Sequence, residues 1–264
     1  MKLYIIISTL FKETGCMPGR DAFIEILRKN GLMVRIRRRR RYKTTDSAHH
    51  YRKYPNLIKE VVPYRPNEIW VSDITYIETE EGVSYLSLIT DAYSHKIVGW
   101  SLGPTLETSY PLEALRMALS GIDAGTARGL IHHSDRGCQY CSDAYVSELK
   151  KYGIRISMTQ SGDPLENAIA ERANGILKSE WLYKMTIPDR ATCKAELTRI
   201  IDFYNTQRPH MSIGWQTPEQ AHGQSGEQQR CWRNYYRSQP VLSVATGVSP
   251  DTTNMEIVAE EAAM

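Results

Sequence analysis

Residues 69–103 constrain this chain most. Three runs rich in β-branched and aromatic side chains, IWVSDITYIET (69–79), VSYLSLITDAY (83–93) and KIVGWSLG (96–103), are joined only by Glu80–Glu81–Gly82 and Ser94–His95. Connections that short allow hairpins and nothing longer, so the runs read as an antiparallel meander. Downstream the pattern alternates. Leu112, Leu115, Met117 and Ala118 recur at helical spacing within 106–120, LIHHS (130–134) is a short apolar strand, and IRISM (154–158) is another. Between those two strands Ser142 can cap a helix that Gly153 ends. A polar loop, TQSGDPLEN, leads into a long helix over about 165–182, and a further helix over 189–207 stops at Arg208–Pro209. The order β-β-β-α-β-α-β-α predicts an α/β fold: three antiparallel strands, then alternating elements, forming a mixed sheet flanked by helices.

Either side of this region the chain reads differently. RDAFIEILRKNGL is a short amphipathic helix with Asn30–Gly31 as its stop signal. It lies in a basic N-terminal segment, 1–45, followed by a polar linker, 46–66, with Pro55, Pro63, Pro66 and one short helix around 56–60. Residues 67–222 form the main domain. Residues 223–264 are an extension whose last part, 244–264, holds Asp251, Glu256, Glu260 and Glu261 but no Lys or Arg, and reads as a flexible acidic tail. At the other end Leu3–Phe11 (LYIIISTLF) has the look of a short export signal. The KETGCMPGRD that follows offers no small-x-small cleavage site, which leaves a buried strand or a misplaced translation start.

A composition of 41% hydrophobic and 24% charged residues excludes a disordered chain, and no apolar run approaches the roughly 18–20 residues of a membrane span. Five irregularly spaced cysteines fit a reducing cytosol rather than a disulfide scaffold. The net charge of +3 hides an asymmetry: nine of the 33 Lys and Arg lie in 28–43 with no acid among them, and the remaining 24 are outnumbered by 30 acids. Such a block, with Arg35, Arg37, Arg38, Arg39, Arg40 and Arg41, lowers its own repulsion by contacting phosphates, so its expected partner is nucleic acid.

Three carboxylates carry the chemistry. Asp73 sits inside the first strand, where it has to face solvent or be held by a cation or a donor. Asp135 follows LIHHS, at the carboxyl end of a strand where open α/β sheets bind ligands. Glu171 lies one turn into the long helix, with 35 residues between it and Asp135. At about 100° per residue, Asn167, Glu171, Asn174 and Lys178 share one polar stripe, while Ile169, Ala173 and Ile176 lie opposite and pack on the sheet. Glu171 can then converge with Asp73 and Asp135 over the sheet edge. Three carboxylates at one point repel unless a cation sits between them, and hard oxygen ligands without cysteine select Mg²⁺ or Mn²⁺. Two such ions about 3.5–4 Å apart would activate a water or 3′-hydroxyl and stabilise the leaving oxygen of a phosphodiester displacement.

The runs PNEIWVSDITYI, LITDAYSHKIVGWSL, HHSDRGCQY, NAIAERANGILKSE and YNTQRPHMSIGWQTPEQA resemble the retroviral-integrase-type catalytic core of bacterial transposases, nearest to the second open-reading-frame product of the IS-three family of insertion sequences. The resemblance spans about residues 18–222. It implies a ribonuclease-H-like fold with Asp73, Asp135 and Glu171 as the catalytic and metal-holding triad. It also implies Mg²⁺-dependent cleavage and strand transfer at the ends of an insertion sequence, a homo-oligomer on double-stranded DNA in the bacterial cytoplasm and nucleoid, and a helix-turn-helix from an upstream frame as partner or fusion. Hydrolysis would free a 3′-hydroxyl that attacks a second phosphodiester, so no Ser or Tyr nucleophile is expected.

Several residues join the site as candidates: His133 as a donor behind Asp135, Asn167 beside it, and Lys178, Arg208 and His210 as DNA contacts, the last two within the family's RPH run. Cys138-x-x-Cys141 with His132 and His133 has the residue types of a zinc site, but no distal cysteine pair at ligand spacing. Two rivals remain. A ribonuclease-H-like nuclease would make no strand-transfer products, and a truncated DNA-binding remnant would not nick DNA.

Overall fold

In a computed structural model the residues described are 2–11, 17–33, 49–59, 61–160 and 167–228. They fall within one compact unit, Met1–Trp232; Arg233–Met264 forms a second unit, outside the described residues. Two helices come first, α1 (Lys2–Leu10) and α2 (Arg20–Lys29). Of the two readings left open for 3–11, the strand is thus replaced by a helix. Its Ser8 and Thr9 hydroxyls both donate to the Ile5 carbonyl at 2.9 Å, and Tyr4 meets Phe23 of α2 edge-on at 5.6 Å.

The meander follows as β1 (Ile69–Thr79), β2 (Gly82–Asp91) and β3 (Ile97–Gly103). Next come α3 (Ser109–Ser120), α4 (Ala124–Gly129), β4 (Ile131–Ser134), α5 (Cys138–Cys141), α6 (Asp143–Lys151) and β5 (Arg155–Met158). The described order closes with α7 (Ala168–Glu180), α8 (Arg190–Thr206) and α9 (Pro218–His222). Ser142 and Asp189 cap α6 and α8 through the amides of Tyr145 and Thr192. No helix among the described residues is long and apolar enough to cross a membrane.

The sheet order is β3-β2-β1-β4-β5, with β1–β3 antiparallel and β4 and β5 parallel to β1. On one face Trp70 and Ile89 pack with Ala114, Leu115, Tyr145 and Leu149 from α3 and α6. There α3 lies so close to β3 that a Cβ on Gly99 would stand 2.1 Å from the Ala114 carbonyl. On the other face Ile77, Leu86 and Leu88 pack with Ile176 and Leu177 of α7 and Leu197, Ile200 and Ile201 of α8.

The segment expected as a linker lies on this body. Tyr51 and Tyr54 pack on the first core, the Met158 amide donates to the Pro55 carbonyl, and the Leu57 amide to Ser157 Oγ at 2.8 Å, so the segment covers edge strand β5. The short helix expected around 56–60 is absent from the described residues there. Asn56 instead takes the Ile58 amide with its own side chain, forming a local turn that competes with a helix.

Candidate active site

The site grows from a difference in strand length. β1 has 11 residues and β4 four, and they pair only at Ile69–Ile131, Trp70–His132 and Val71–His133. Two residues further along the same register, Asp73 comes level with Asp135, each on the sheet face that Ile69, Val71 and Ile131 share with Ala170 of α7. Beyond β4 the edge of β1 is open, and the polar stripe of α7 fills it. Asn167 Nδ2 donates to the Ser72 carbonyl at 3.0 Å, Asn174 Nδ2 to Asp73 Oδ2 at 2.7 Å, and the Lys178 ammonium stands 3.9 Å from the centre of the Tyr76 ring. The expected stripe is therefore real but turned inward: Asn167, Asn174 and Lys178 are buried, and Glu171 between them is exposed at the rim.

Asp73 is the electrostatic centre. Its carboxyl is raised to about 7 by burial first and then by the charge of Asp135; the Asn174 amide opposes the rise, Glu171 adds to it, and the Ile74 amide opposes it. Asp135 Oδ1 accepts the Gly137 amide at 3.0 Å, an approach so close that a Cβ on Gly137 would lie 3.0 Å from the same oxygen. Beneath the pair, burial, Tyr145 and then Asp73 and Asp135 push the Tyr140 hydroxyl well above the usual phenol range. It stays protonated and adds no further negative charge.

Among the described residues no three His, Cys, Asp or Glu side chains stand grouped as a ready-made metal cluster. Asp73 feels Asp135 and Glu171 through space, without a closed chelate. The donor chemistry nonetheless fits a hard divalent cation. All three groups are carboxylates, burial and then their mutual repulsion hold Asp73 high, and the buried Oδ1 atoms of Asn167 and Asn174 have no hydrogen-bond partner among the described residues.

The other candidates divide. His133 is fully buried and bonded through Nδ1 to Ser157 Oγ at 2.8 Å, which ties β4 to β5. Arg208 and His210 are corrected from the expected DNA contacts. Arg208 is 2% exposed, its guanidinium is bidentate to Glu180 at 2.7 Å on both arms, and it donates to His210 Nε2 at 2.8 Å. Lys178, expected on the outer stripe, has its ammonium over the Tyr76 ring. Arg35 and Arg37–Arg41 lie outside the described residues. The residues that suggested zinc are otherwise engaged: the Ser72 and Tyr145 hydroxyls reach His132 Nε2 at 2.7 and 2.9 Å, and Cys141, pushed up to about 11 mainly by burial, lies against Met158. Asn174 was missed as a site residue, although it lies one turn beyond Glu171 on the stripe the sequence displays. Tyr140 carried no signal in the sequence.

Two families described as integrase core domain match the chain, one over residues 63–164 and the other over 152–218. An uncharacterized 31 kDa protein of insertion element IS600 from Shigella sonnei is 36% identical over 211 residues, 79% of this chain and 76% of that protein. The transposase for insertion sequence element IS904 from Lactococcus lactis is 31% identical over 215 residues, 81% of this chain and 84% of that one. A chain of the simian T-cell lymphotropic virus intasome superposes with a TM-score of 0.52 at 18% identity, covering 72% of this chain and 66% of that one. That likeness concerns the fold, and the mixed sheet is ribonuclease-H-like.

Proposed function

The chain belongs to the insertion-sequence transposases built on an integrase core, and on that premise we propose that it cuts and joins DNA strands with divalent ions held by Asp73, Asp135 and Glu171. The observation that carries this reading is Asp73. A carboxyl raised to about 7 by burial and two other acids is costly to the fold, and such a group is a candidate for function. Asp73 and Asp135, level on adjacent parallel strands, would share the ions, and Glu171 at the exposed rim would complete one site. Bound there, Mg²⁺ or Mn²⁺ supplies Lewis-acid stabilisation of the attacking and leaving oxygens of the phosphodiester.

The chain's own groups prepare that chemistry. The Asn174 amide holds Asp73 Oδ2 towards α7 and so orients the carboxylate. The Gly137 amide likewise orients the Asp135 carboxylate through Oδ1. Asn167 and Asn174 lie one turn either side of Glu171 and clip α7 to β1, which sets the height of Glu171 over the strand ends. The substrate in this reading is double-stranded DNA at the element's ends and at the target, gripped by the arginine segment. A homo-oligomer on DNA and a helix-turn-helix partner from an upstream frame belong to the same proposal.

The test is the full chain with a duplex carrying the element's own terminal sequence. Nicked and then joined products are expected with Mg²⁺ or Mn²⁺ and none with chelator. Asp135→Ala and Glu171→Ala keep DNA binding and lose both products. Joining by either variant overturns the assignment, and nicking without joining by the intact chain points to the nuclease instead.

A further inference from the structure

The segment covering β5 begins beside the acids. His49 Nε2 donates to the Arg136 carbonyl at 2.8 Å, next to Asp135, and Pro55 and Leu57 bond to Met158 and Ser157 at the other end. Held by the His49 side chain at one end and by the backbone of Pro55 and Leu57 at the other, the segment turns His50, Arg52 and Lys53 to solvent, while Tyr51 and Tyr54 pack against the core. The exposed groups lie against tyrosine rings: the His50 ring is 4.4 Å from the Tyr51 ring and tilted 33° to it, and the Arg52 guanidinium is 5.2 Å from the centre of Tyr54. The charges of Lys53, Arg136 and Asp135 all act on Cys141, so the cations and the acid share one neighbourhood.

Two buried polar atoms there have no hydrogen-bond partner among the described residues, His49 Nδ1 and Arg136 Nε. The exposed His50 and Arg52 side chains lying on tyrosine rings, together with the cations of Arg52 and Lys53, match the face and phosphate of an unstacked nucleotide.

We propose that His49–Tyr54 together with Arg136 is a binding site for unpaired nucleotides flanking the scissile phosphate. The proposal rests on the transposase reading, since a cut whose strands separate presents such bases at this rim. An intact duplex keeps its bases stacked and offers the segment only phosphates, so the selectivity is for a frayed or forked end. Arg52 and Lys53 contact the backbone, and His50 and the Arg52–Tyr54 pair accept bases.

The experiment uses the full chain in magnesium-free buffer with two fluorescent DNAs of equal length, a blunt duplex and one with a short unpaired arm carrying 2-aminopurine. Tighter binding to the forked DNA by roughly tenfold is expected, with the 2-aminopurine signal changed on binding. His50→Ala removes the signal change and most of the preference while duplex affinity stays. Arg52→Gln with Lys53→Gln lowers the salt slope for the forked DNA by about 1.4, from roughly 0.7 per cation on a single strand. Equal affinity of the unaltered chain for both DNAs, or a full preference in His50→Ala with an unchanged melting curve, overturns the proposal. Metal-dependent cleavage is scored separately, with Mg²⁺ added and a duplex carrying the element's own terminal sequence. Cleavage without fork preference sinks the nucleotide site alone, and fork preference without cleavage sinks the transposase chemistry alone.

Discussion

Asn174 on α7 donates its side-chain amide to the Asp73 carboxylate on β1 at 2.7 Å, joining two residues 101 positions apart in the chain. A donor that orients a metal-holding carboxylate is worth about 10- to 100-fold in metal affinity or activity. Asn174→Ala is expected to lower the strand-cleavage rate by that factor and raise the Mg²⁺ concentration giving half-maximal rate, with DNA affinity unchanged. Asn174→Asp, which adds a further carboxylate to the cluster, is expected to be worse. Rates across a magnesium titration distinguish these outcomes from a simple loss of folded protein.

Asp73→Asn removes the charge at the centre of the repulsion. At pH 8 without metal the wild-type carboxylate is ionised against burial, Asp135 and Glu171, so the variant is expected to be more stable by about 1–2 kcal/mol, a few degrees in Tm. Adding Mg²⁺ stabilises the wild type by mass action and leaves the inactive variant almost unmoved. Thermal melts with and without Mg²⁺ read both effects.

Arg208 is buried with both arms on Glu180, whose side chain is 34% exposed. Arg208→Ala removes the partner of a half-buried carboxylate and opens a space beneath α8, at an expected cost of about 2–3 kcal/mol. The double change with Glu180→Ala is expected to cost less than the two single changes added together. Urea unfolding of the four proteins supplies the cycle.

His95 predicts an acid limit. Its ring is pushed down to about 4, by burial first and then by Arg172 and Arg208, whereas an unfolded histidine titrates near 6.5. Between those values the unfolded chain binds a proton that the folded chain does not. This contribution to stability is complete above pH 6.5 and is lost as the pH falls towards 4, by about 2 kcal/mol. His95→Asn suits the left-handed backbone there (φ 62) and is expected to lose less stability than wild type between pH 7.5 and 4.5 in urea titrations.

Where the signals are local, the chain announces its structure. The β-branched runs locate β1, β2 and β3, Ser142 and Asp189 mark helix starts, and the 3.6-residue period puts Asn167, Glu171, Asn174 and Lys178 on one side of α7. Each follows from backbone sterics, capping or periodicity within a few residues of itself. Propensity, charge and resemblance do not say what comes to lie opposite: Lys178 on its stripe and Arg208 in the RPH run read as DNA contacts, and a strand is one of two readings of Leu3–Phe11.

The sequence by itself determined the order of elements, the spacing of the three acids and the stripe that carries Glu171. Only the tertiary structure decided that the stripe faces the open edge of β1, that Arg208 turns to Glu180, and that residues 49–59 lie along β5, with Leu57 bonded to Ser157 a hundred positions away. The physical reason is range. Periodicity and caps act across one or two turns, whereas the burial of a charge and the pairing of its partner depend on which distant segments the folded core brings together.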